Sequence, residues 1–223
     1  LGSTSEIGLS LADYSFAGEN SMDYAGFTVS NAGDVDDDGL DDVLVGSPYN
    51  SDGGGYAGKS YLILGASMGS TSSIRLSDAD YSFVGERASD YSSLSLSGAG
   101  DVDGDGLDDI LVGANGNDDG GSAAGKACLF LGSSLGGSSS ISLSDADYSF
   151  IGESVNDNAG YSVSSANDVD NDGLDDILVG APYNGDGGSY AGKAYLILGA
   201  SLSSATEINL GDADYGLAGE NSG

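Results

Sequence analysis

Short runs of consecutive apolar residues recur along the chain, and clusters of Gly, Asn, Asp and Ser bound each run. Val43–Val45 and Leu62–Leu64 are examples, with copies of the first at Ile110–Val112 and Ile177–Val179. Such runs between turn-forming residues are typical of β-strands, and no stretch has the 3.6-residue apolar period of an amphipathic helix. Because the runs are unbroken rather than alternating, both faces of each sheet should be buried. The pattern predicts an all-β protein.

The strand pattern repeats every 67 residues without insertion or deletion, as four tyrosines show: Tyr14, Tyr81, Tyr148 and Tyr215. Self-similarity at a fixed period indicates a repeat architecture. We interpret the chain as a single repeat domain, 1–223, that contains repeats 20–86, 87–153 and 154–220 after an extra N-terminal strand at 6–19.

Each repeat contains four strand-like segments, which matches one four-stranded antiparallel blade of a β-propeller. The outermost strands are expected at about 74–86, 141–153 and 208–220. A stacked β-solenoid is the alternative, although its repeats are usually shorter and have fewer tight turns. Closed propellers have four to eight blades, so about three blades plus one extra outer strand should be open unless they assemble or belong to a longer array.

The charge balance narrows the possible partners. The 223 residues include 36 Asp and Glu but only five Lys and Arg, which gives a net charge of −31. This acidity argues against nucleic acid or an anionic membrane as the main partner, and no apolar run is long enough to insert into a membrane. The absence of His removes the usual general base and zinc ligand. Leu1 is neither an initiator Met nor part of a signal segment, so we expect a mature or excerpted piece of a longer precursor.

One acidic loop recurs in each repeat and carries the clearest chemical signal. Its pattern is Asp-x-Asp-x-Asp-Gly-Leu-x-Asp, in which the carboxylates at positions one, three, five and nine can converge on one hard cation. The glycine permits a sharp turn, and the residue at position seven would offer its main-chain carbonyl. The predicted ligands are Asp34, Asp36, Asp38, Leu40 and Asp42; Asp101, Asp103, Asp105, Leu107 and Asp109; and Asp168, Asp170, Asp172, Leu174 and Asp176.

Flexible coordination by six to eight oxygens favours Ca²⁺ over Mg²⁺, so we expect about three calcium ions per chain. An EF-hand is excluded, because position twelve holds Val45, Val112 or Val179 instead of Glu. The alternative is an acidic surface turn without metal, but three aligned copies argue against it. Four carboxylates in one loop would repel one another without a cation, so metal binding should be coupled to stability.

The motifs around the loop resemble a known repeat. Gly26-Phe27 before the first loop and Gly46-Ser47-Pro48 after it, with Gly160-Tyr161 and Gly180-Ala181-Pro182 in the third copy, are similar to the FG-GAP repeat of integrin α-subunit propellers and related bacterial surface proteins. The resemblance implies one four-stranded blade per repeat in a typically seven-bladed propeller. It also implies calcium in the loop after the innermost strand, on the face away from the usual ligand surface. The second copy departs from the motif at Ser93-Leu94 and Gly113-Ala114-Asn115.

The sequence favours a non-enzymatic calcium-binding scaffold for adhesion or self-assembly, located outside the cell or on its surface because weak Asp-rich sites fill where calcium is abundant. The expected partners are other copies in an oligomer or filament, or neighbouring repeats of a longer chain; a glycan or a protein is a possible ligand. A lectin-like propeller is the alternative, and exposed aromatic residues at blade junctions would distinguish it. A secreted hydrolase or lyase is disfavoured, because near-identical copies lack the asymmetric constellation that catalysis requires.

Other recurrent residues are interpreted as structural. Cys128 replaces a tyrosine in a buried-looking strand and lacks a His to activate it. Three lysines recur near acidic turns, which favours a local role over binding of an anionic ligand. The recurrent tyrosines are expected at the edge of the core, and periodic glutamates do not suggest a glycosidase pair. The lysines are Lys59, Lys126 and Lys193, and the glutamates are Glu19, Glu86, Glu153 and Glu220.

Overall fold

The computed structural model describes residues 9–69, 72–202 and 205–220, which form an all-β fold. This part of the chain contains sixteen strands and seven single-turn 3₁₀ helices, and no α-helix. No helix in it has the length and apolar character that a membrane span requires. Residues 6–8 of the predicted N-terminal strand lie outside the described residues.

The first eight strands are β1 (Ser15–Ala17), β2 (Thr28–Gly33), β3 (Asp42–Ser47), β4 (Lys59–Ile63), β5 (Ser73–Arg75), β6 (Tyr81–Val84), β7 (Leu96–Gly100) and β8 (Asp109–Ala114). The next eight are β9 (Lys126–Phe130), β10 (Ser140–Ser142), β11 (Tyr148–Ile151), β12 (Ser162–Asn167), β13 (Asp176–Ala181), β14 (Lys193–Ile197), β15 (Glu207–Asn209) and β16 (Tyr215–Ala218). The 3₁₀ helices are Leu9–Leu11, Gly65–Ser67, Leu76–Asp78, Gly132–Ser134, Leu143–Asp145, Gly199–Ser201 and Leu210–Asp212.

Each repeat forms one antiparallel blade, as the sequence predicts. Blade 1 consists of β2, β3, β4 and β6, blade 2 of β7, β8, β9 and β11, and blade 3 of β12, β13, β14 and β16. The innermost strands β2, β7 and β12 lie side by side. The blades form an open array rather than a closed barrel, which confirms the predicted fold class.

The outer segment of each repeat is divided between two sheets, in contrast to the single outer strand that the sequence predicts. Within the expected outer strand 74–86, the 3₁₀ helix Leu76–Asp78 separates β5 from β6. β6 completes its own blade, whereas β5 pairs in parallel with β1. In the same way, β10 pairs with β6 of blade 1, and β15 pairs with β11 of blade 2. Blades 1 and 2 therefore become five-stranded with a parallel edge.

The core lies between the blades. Leu44, Leu62 and Phe83 of blade 1 pack against blade 2, where the ring of Phe130 lies 4.6 Å from that of Phe83 between centroids. The corresponding residues of blade 2, Leu111, Leu129 and Phe150, pack against blade 3. Blade 2 is covered on both faces by its neighbours, which accounts for its unbroken apolar runs, whereas the outer faces of blades 1 and 3 are only partly covered in the described structure.

Candidate metal centre

The acidic loops connect the innermost strand of each blade to the second strand. The first residue of the loop organises it, because Asp34 accepts hydrogen bonds from the backbone N–H groups of Asp38 (3.1 Å) and Gly39 (2.9 Å). Gly39 has φ +86°, a left-handed conformation that favours glycine. The other loops have the same bonds, from Asp105 and Gly106 to Asp101 and from Asp172 and Gly173 to Asp168. The repeated sequence therefore produces three loops of one conformation.

The carboxylate at position nine begins the second strand and is completely buried. In the first loop, Asp42 Oδ2 accepts from the N–H of Val35 (3.0 Å), and Oδ1 accepts from the N–H of Gly65 (2.7 Å). Asp109 and Asp176 are held by the equivalent pairs of N–H groups. These bonds fix the carboxylate at the base of the loop.

Three carboxylates converge in each loop. An oxygen of each member lies within 4.8 Å of the others in three equivalent groups: Asp34, Asp36 and Asp42; Asp101, Asp103 and Asp109; and Asp168, Asp170 and Asp176. These are positions one, three and nine of the predicted ligand set. Oxygen-only donors and a formal charge of −3 per group suit a hard divalent cation.

The position-five carboxylates are outside these groups in the described structure. Oδ1 of Asp38, Asp105 and Asp172 instead accepts from the N–H of the leucine at position seven, at 2.8–2.9 Å. The second oxygen of each carboxylate has no hydrogen bond in the described structure. The ligand roles of all the predicted residues, including positions five and seven, stay predictions.

The electrostatics of the loops favour a cation. Burial raises the pKa of Asp109 to about 7, although its two backbone hydrogen bonds act in the opposite direction. The pKa values of Asp36, Asp103 and Asp170 are also raised, by burial and by the neighbouring carboxylates. The carboxylates are therefore harder to ionise together, and a bound cation would remove this penalty.

Successive loops are also joined to each other by contacts that the sequence did not predict. Asp34 donates its N–H to Asp108 Oδ2 (2.8 Å), and Asp108 donates its N–H to the carbonyl of Asp34 (3.1 Å). Asp101 and Asp175 form the same pair between blades 2 and 3, at 3.0 Å for both bonds. The only sequence signal was an Asp at position eight of every loop. Its partner could not be identified because it belongs to another repeat.

The recurrent lysines have structural partners rather than a ligand site. Lys126 bridges Glu86 at 2.7 Å and Asp119 at 3.2 Å, and Lys59 and Lys193 form equivalent pairs. The Asp belongs to the nearby turn, as expected, whereas the Glu comes from the preceding repeat. Cys128 is fully buried, and burial raises the pKa of its thiol to about 12. It is therefore not placed to act as a nucleophile.

An aromatic cluster lies at the opposite edge of the blades, beside the start of β2 and the end of β3. Tyr49 is its centre, with ring centroids of Tyr24, Tyr56, Tyr91 and Phe27 at 5.1–6.3 Å. Tyr91 belongs to the second repeat, so the cluster spans the junction of blades 1 and 2. Three rings form a smaller counterpart in the third repeat: Tyr161, Tyr183 and Tyr190.

The comparisons with known proteins agree with the repeat pattern. The FG-GAP repeat model matches residues 25–63 and 159–197. Integrin alpha-5 of Xenopus laevis is 32% identical over 196 residues, which cover 85% of this chain and 18% of the integrin. Integrin alpha-PS2 of Drosophila melanogaster is 29% identical over 191 residues, covering 83% of this chain and 12% of that protein. Human integrin alpha-7 is 32% identical over 169 residues, which cover 74% of this chain and 13% of the integrin. The chain thus spans less than a fifth of the length of these relatives.

Proposed function

Because the chain carries FG-GAP repeats, we propose that it is a non-enzymatic, calcium-binding module of an extracellular or cell-surface protein, acting in adhesion or as a self-assembling scaffold. The observation that carries the proposal is the threefold occurrence of the same carboxylate group. A function that depends on one asymmetric site would not require three equivalent copies.

The proposed metal is Ca²⁺, with about three ions per chain. Positions one, three and nine supply the convergent carboxylates, and positions five and seven complete the set of fifteen ligands predicted from the sequence. Asp38 supports this assignment, because only Oδ1 is engaged with the N–H of Leu40. A bound cation supplies positive charge; the chain itself supplies the loop shape through Asp34 and the fixed carboxylate of Asp42.

The cell exterior suits both the charge and the metal. Extracellular calcium-binding modules have Kd values of about 0.1–1 mM, so their sites are occupied where the calcium concentration is millimolar. The same ions screen the surface of a chain with a charge of −31. Similarity to integrin alpha chains supports a role in adhesion.

Calcium titration by isothermal calorimetry tests this function. About three ions should bind to the chain after treatment with chelator, and replacing Asp34, Asp101 and Asp168 with Ala should remove binding. A matched triple variant replaces three exposed aspartates outside the loops, Asp13, Asp145 and Asp212, and should retain it. Absence of calcium binding at 10 mM would contradict the proposal.

Glycan binding is the second candidate, and the aromatic cluster favours it. Tyr24 and Tyr56 are more than half exposed, and both have left-handed backbone conformations, at φ 56° and 60°. Bulky residues rarely adopt this conformation, and it is enriched at ligand-binding sites. A glycan array run with calcium and with chelator tests the candidate. Binding that Tyr49→Ala abolishes supports it, and an array without binding rejects it.

A further inference from the structure

Blade 3 leaves exposed an apolar face that blades 1 and 2 bury. Val169, Leu178, Leu196 and Leu217 form this exit face, and they lie 134 residues after Val35, Leu44, Leu62 and Phe83. Val35 and Phe83 are 1% and 0% exposed because blade 2 covers them, whereas Val169 and Leu217 are 52% and 61% exposed. The equivalent residues of blade 2 are covered by blade 3. The exit face therefore has the composition of a blade–blade contact without its partner.

Blade 1 presents the complementary side of such a contact. We call Val29, Val43, Val45 and Ile63 its entry face. Val29 is 69% exposed, whereas its equivalents Leu96 and Val163 are buried against the preceding blade. Phe16 of β1 packs against the rest of this face.

β1 lies beside blade 1 in the position that the outermost strand of the preceding blade, β6 or β11, has at the other two blade junctions. It pairs with β5 over three residues, as β6 pairs with β10 and β11 with β15. β6 and β11 are backed by the other strands of their blades, whereas β5 is the only strand paired with β1 in the described chain. β16 is the fourth member of this series, and no described strand pairs with its outer edge.

The ionic contacts follow the same series. Glu19, Glu86 and Glu153 each bind the lysine 40 residues ahead. Glu220 occupies the next position in the series and forms no ion pair within residues 9–69, 72–202 and 205–220. The first lysine of the series, Lys59, lies in blade 1 beside the entry face.

We propose that the exit face binds the entry face of a second copy of this chain, with β16 of one copy replacing β1 of the other. Leu217 then takes the place of Phe16, and Glu220 takes the place of Glu19 on Lys59. β16 keeps its four residue pairs with β14 in its own blade and uses its free outer edge to pair with β5 of the second copy. The only strand pairing that is given up is the one between β1 and β5, which has three residue pairs. The contact continues the two blade junctions already present within the chain.

Two such contacts close a dimer of six blades, which lies within the four to eight blades of closed propellers. A head-to-tail contact that closes gives a discrete ring instead of a filament. The inference rests on the proposed function, because calcium in the loops reduces the repulsion between two chains of charge −31.

Asn167 is expected to hinder the proposed contact between copies, because the two equivalent residues at the existing blade junctions are glycines. Gly33 and Gly100 lie against the carboxylates of Asp108 and Asp175 in the next blade, where any Cβ would overlap them. The equivalent residue of blade 3 is Asn167, which would meet Asp41 of the second copy. Asn167 has φ 54°, so glycine fits its backbone without strain. Asn167→Gly should therefore strengthen the contact between copies.

Sedimentation velocity of the full chain in 2 mM calcium tests the assembly. We expect a species of twice the 22.0 kDa monomer mass, with at least tenfold weaker association for Leu217→Asp and tighter association for Asn167→Gly. Val155→Asp places the same charge at an exposed apolar site outside both faces and should leave the dimer unchanged. A monomer at every concentration, or a dimer that Leu217→Asp does not weaken, overturns the inference.

Disulfide cross-linking tests the strand exchange independently. The pairing of Val84 with Ser142 corresponds to Ala218 beside Arg75 of the second copy. A mixture of Ala218→Cys and Arg75→Cys chains should form a cross-linked dimer in calcium, and Leu217→Asp should suppress it. Lack of cross-linking contradicts replacement of β1. Calcium titration of the same samples separates the two proposals: a monomer that binds three ions rejects only the dimer, whereas a chain without calcium binding rejects the proposed function.

Discussion

Replacing Asp109 with Asn should lower the stability that calcium adds to the protein. Asp109 is fully buried and accepts from the N–H groups of Val102 and Gly132, both at 2.9 Å. An amide keeps one acceptor and leaves one buried donor without a partner, which costs about 1–3 kcal/mol. The substitution also removes the cost of ionising a buried carboxyl group, which is stabilising. The rise of the pKa of Asp109 from the ordinary 3.8 to about 7 corresponds to a cost of roughly 4 kcal/mol at alkaline pH. Without calcium, these opposing terms leave a net stabilisation of about 1–3 kcal/mol at alkaline pH.

On the proposal that Asp109 is a calcium ligand, calcium reverses this balance, because the ionised carboxylate is then paired with the cation. At 10 mM calcium, a site with a Kd of about 0.1–1 mM adds roughly 1.4–2.7 kcal/mol to the free energy of unfolding. Three sites then add about 4–8 kcal/mol, or about 10–30 °C in Tm for a domain of this size. Asp109→Asn should reduce this increase by about a third.

Calorimetric melts in 10 mM calcium and in excess chelator, both at pH 7.5, measure the difference. Asp145→Asn is the matched control, since Asp145 is exposed and lies in the same repeat. It removes the same charge and should leave the calcium-induced shift unchanged. An equal shift for the Asp109 variant and the unmodified chain would refute a ligand role for Asp109, and no shift in either would refute structural calcium altogether.

Three further predictions follow from the geometry. Without calcium, Asp109 keeps its proton in the folded chain between about pH 4 and 7, whereas the unfolded chain has lost it. The Tm measured in chelator should therefore fall as the pH rises through this window. A Tm that rises would contradict the raised pKa. Lys126→Met should lower the free energy of unfolding, measured in urea, by about 3–5 kcal/mol, because it leaves the largely buried carboxylate of Glu86 unpaired. The double variant with Glu86→Gln should recover part of this loss. Gly100→Ala should cost at least about 1 kcal/mol, since φ is +79° and the new Cβ overlaps the carboxylate of Asp175; an unchanged urea midpoint would show that this junction is not tightly packed.

The sequence was sufficient for features that are local or strictly periodic. The three acidic loops and their converging carboxylates could be predicted because these residues lie within nine consecutive positions and recur at a fixed spacing. The blades could be predicted because unbroken runs such as Val43–Val45 require cover on both faces. The expected outer strand 74–86 was wrong as a single element, because a 3₁₀ turn at Leu76–Asp78 sends β5 to the preceding blade.

The fold class, the register of the repeats and the positions of the acidic loops were thus determined by the sequence alone, because each depends on neighbours along the chain. Only the tertiary structure decided the contacts between repeats. It joined Asp34 to Asp108 across two loops and Lys126 to the preceding repeat through Glu86. It also distinguished Leu217 from Phe83, which have equivalent places in the repeat but different exposure. The physical reason is that a periodic sequence gives each blade the same two faces, and only the arrangement in space determines which faces are covered.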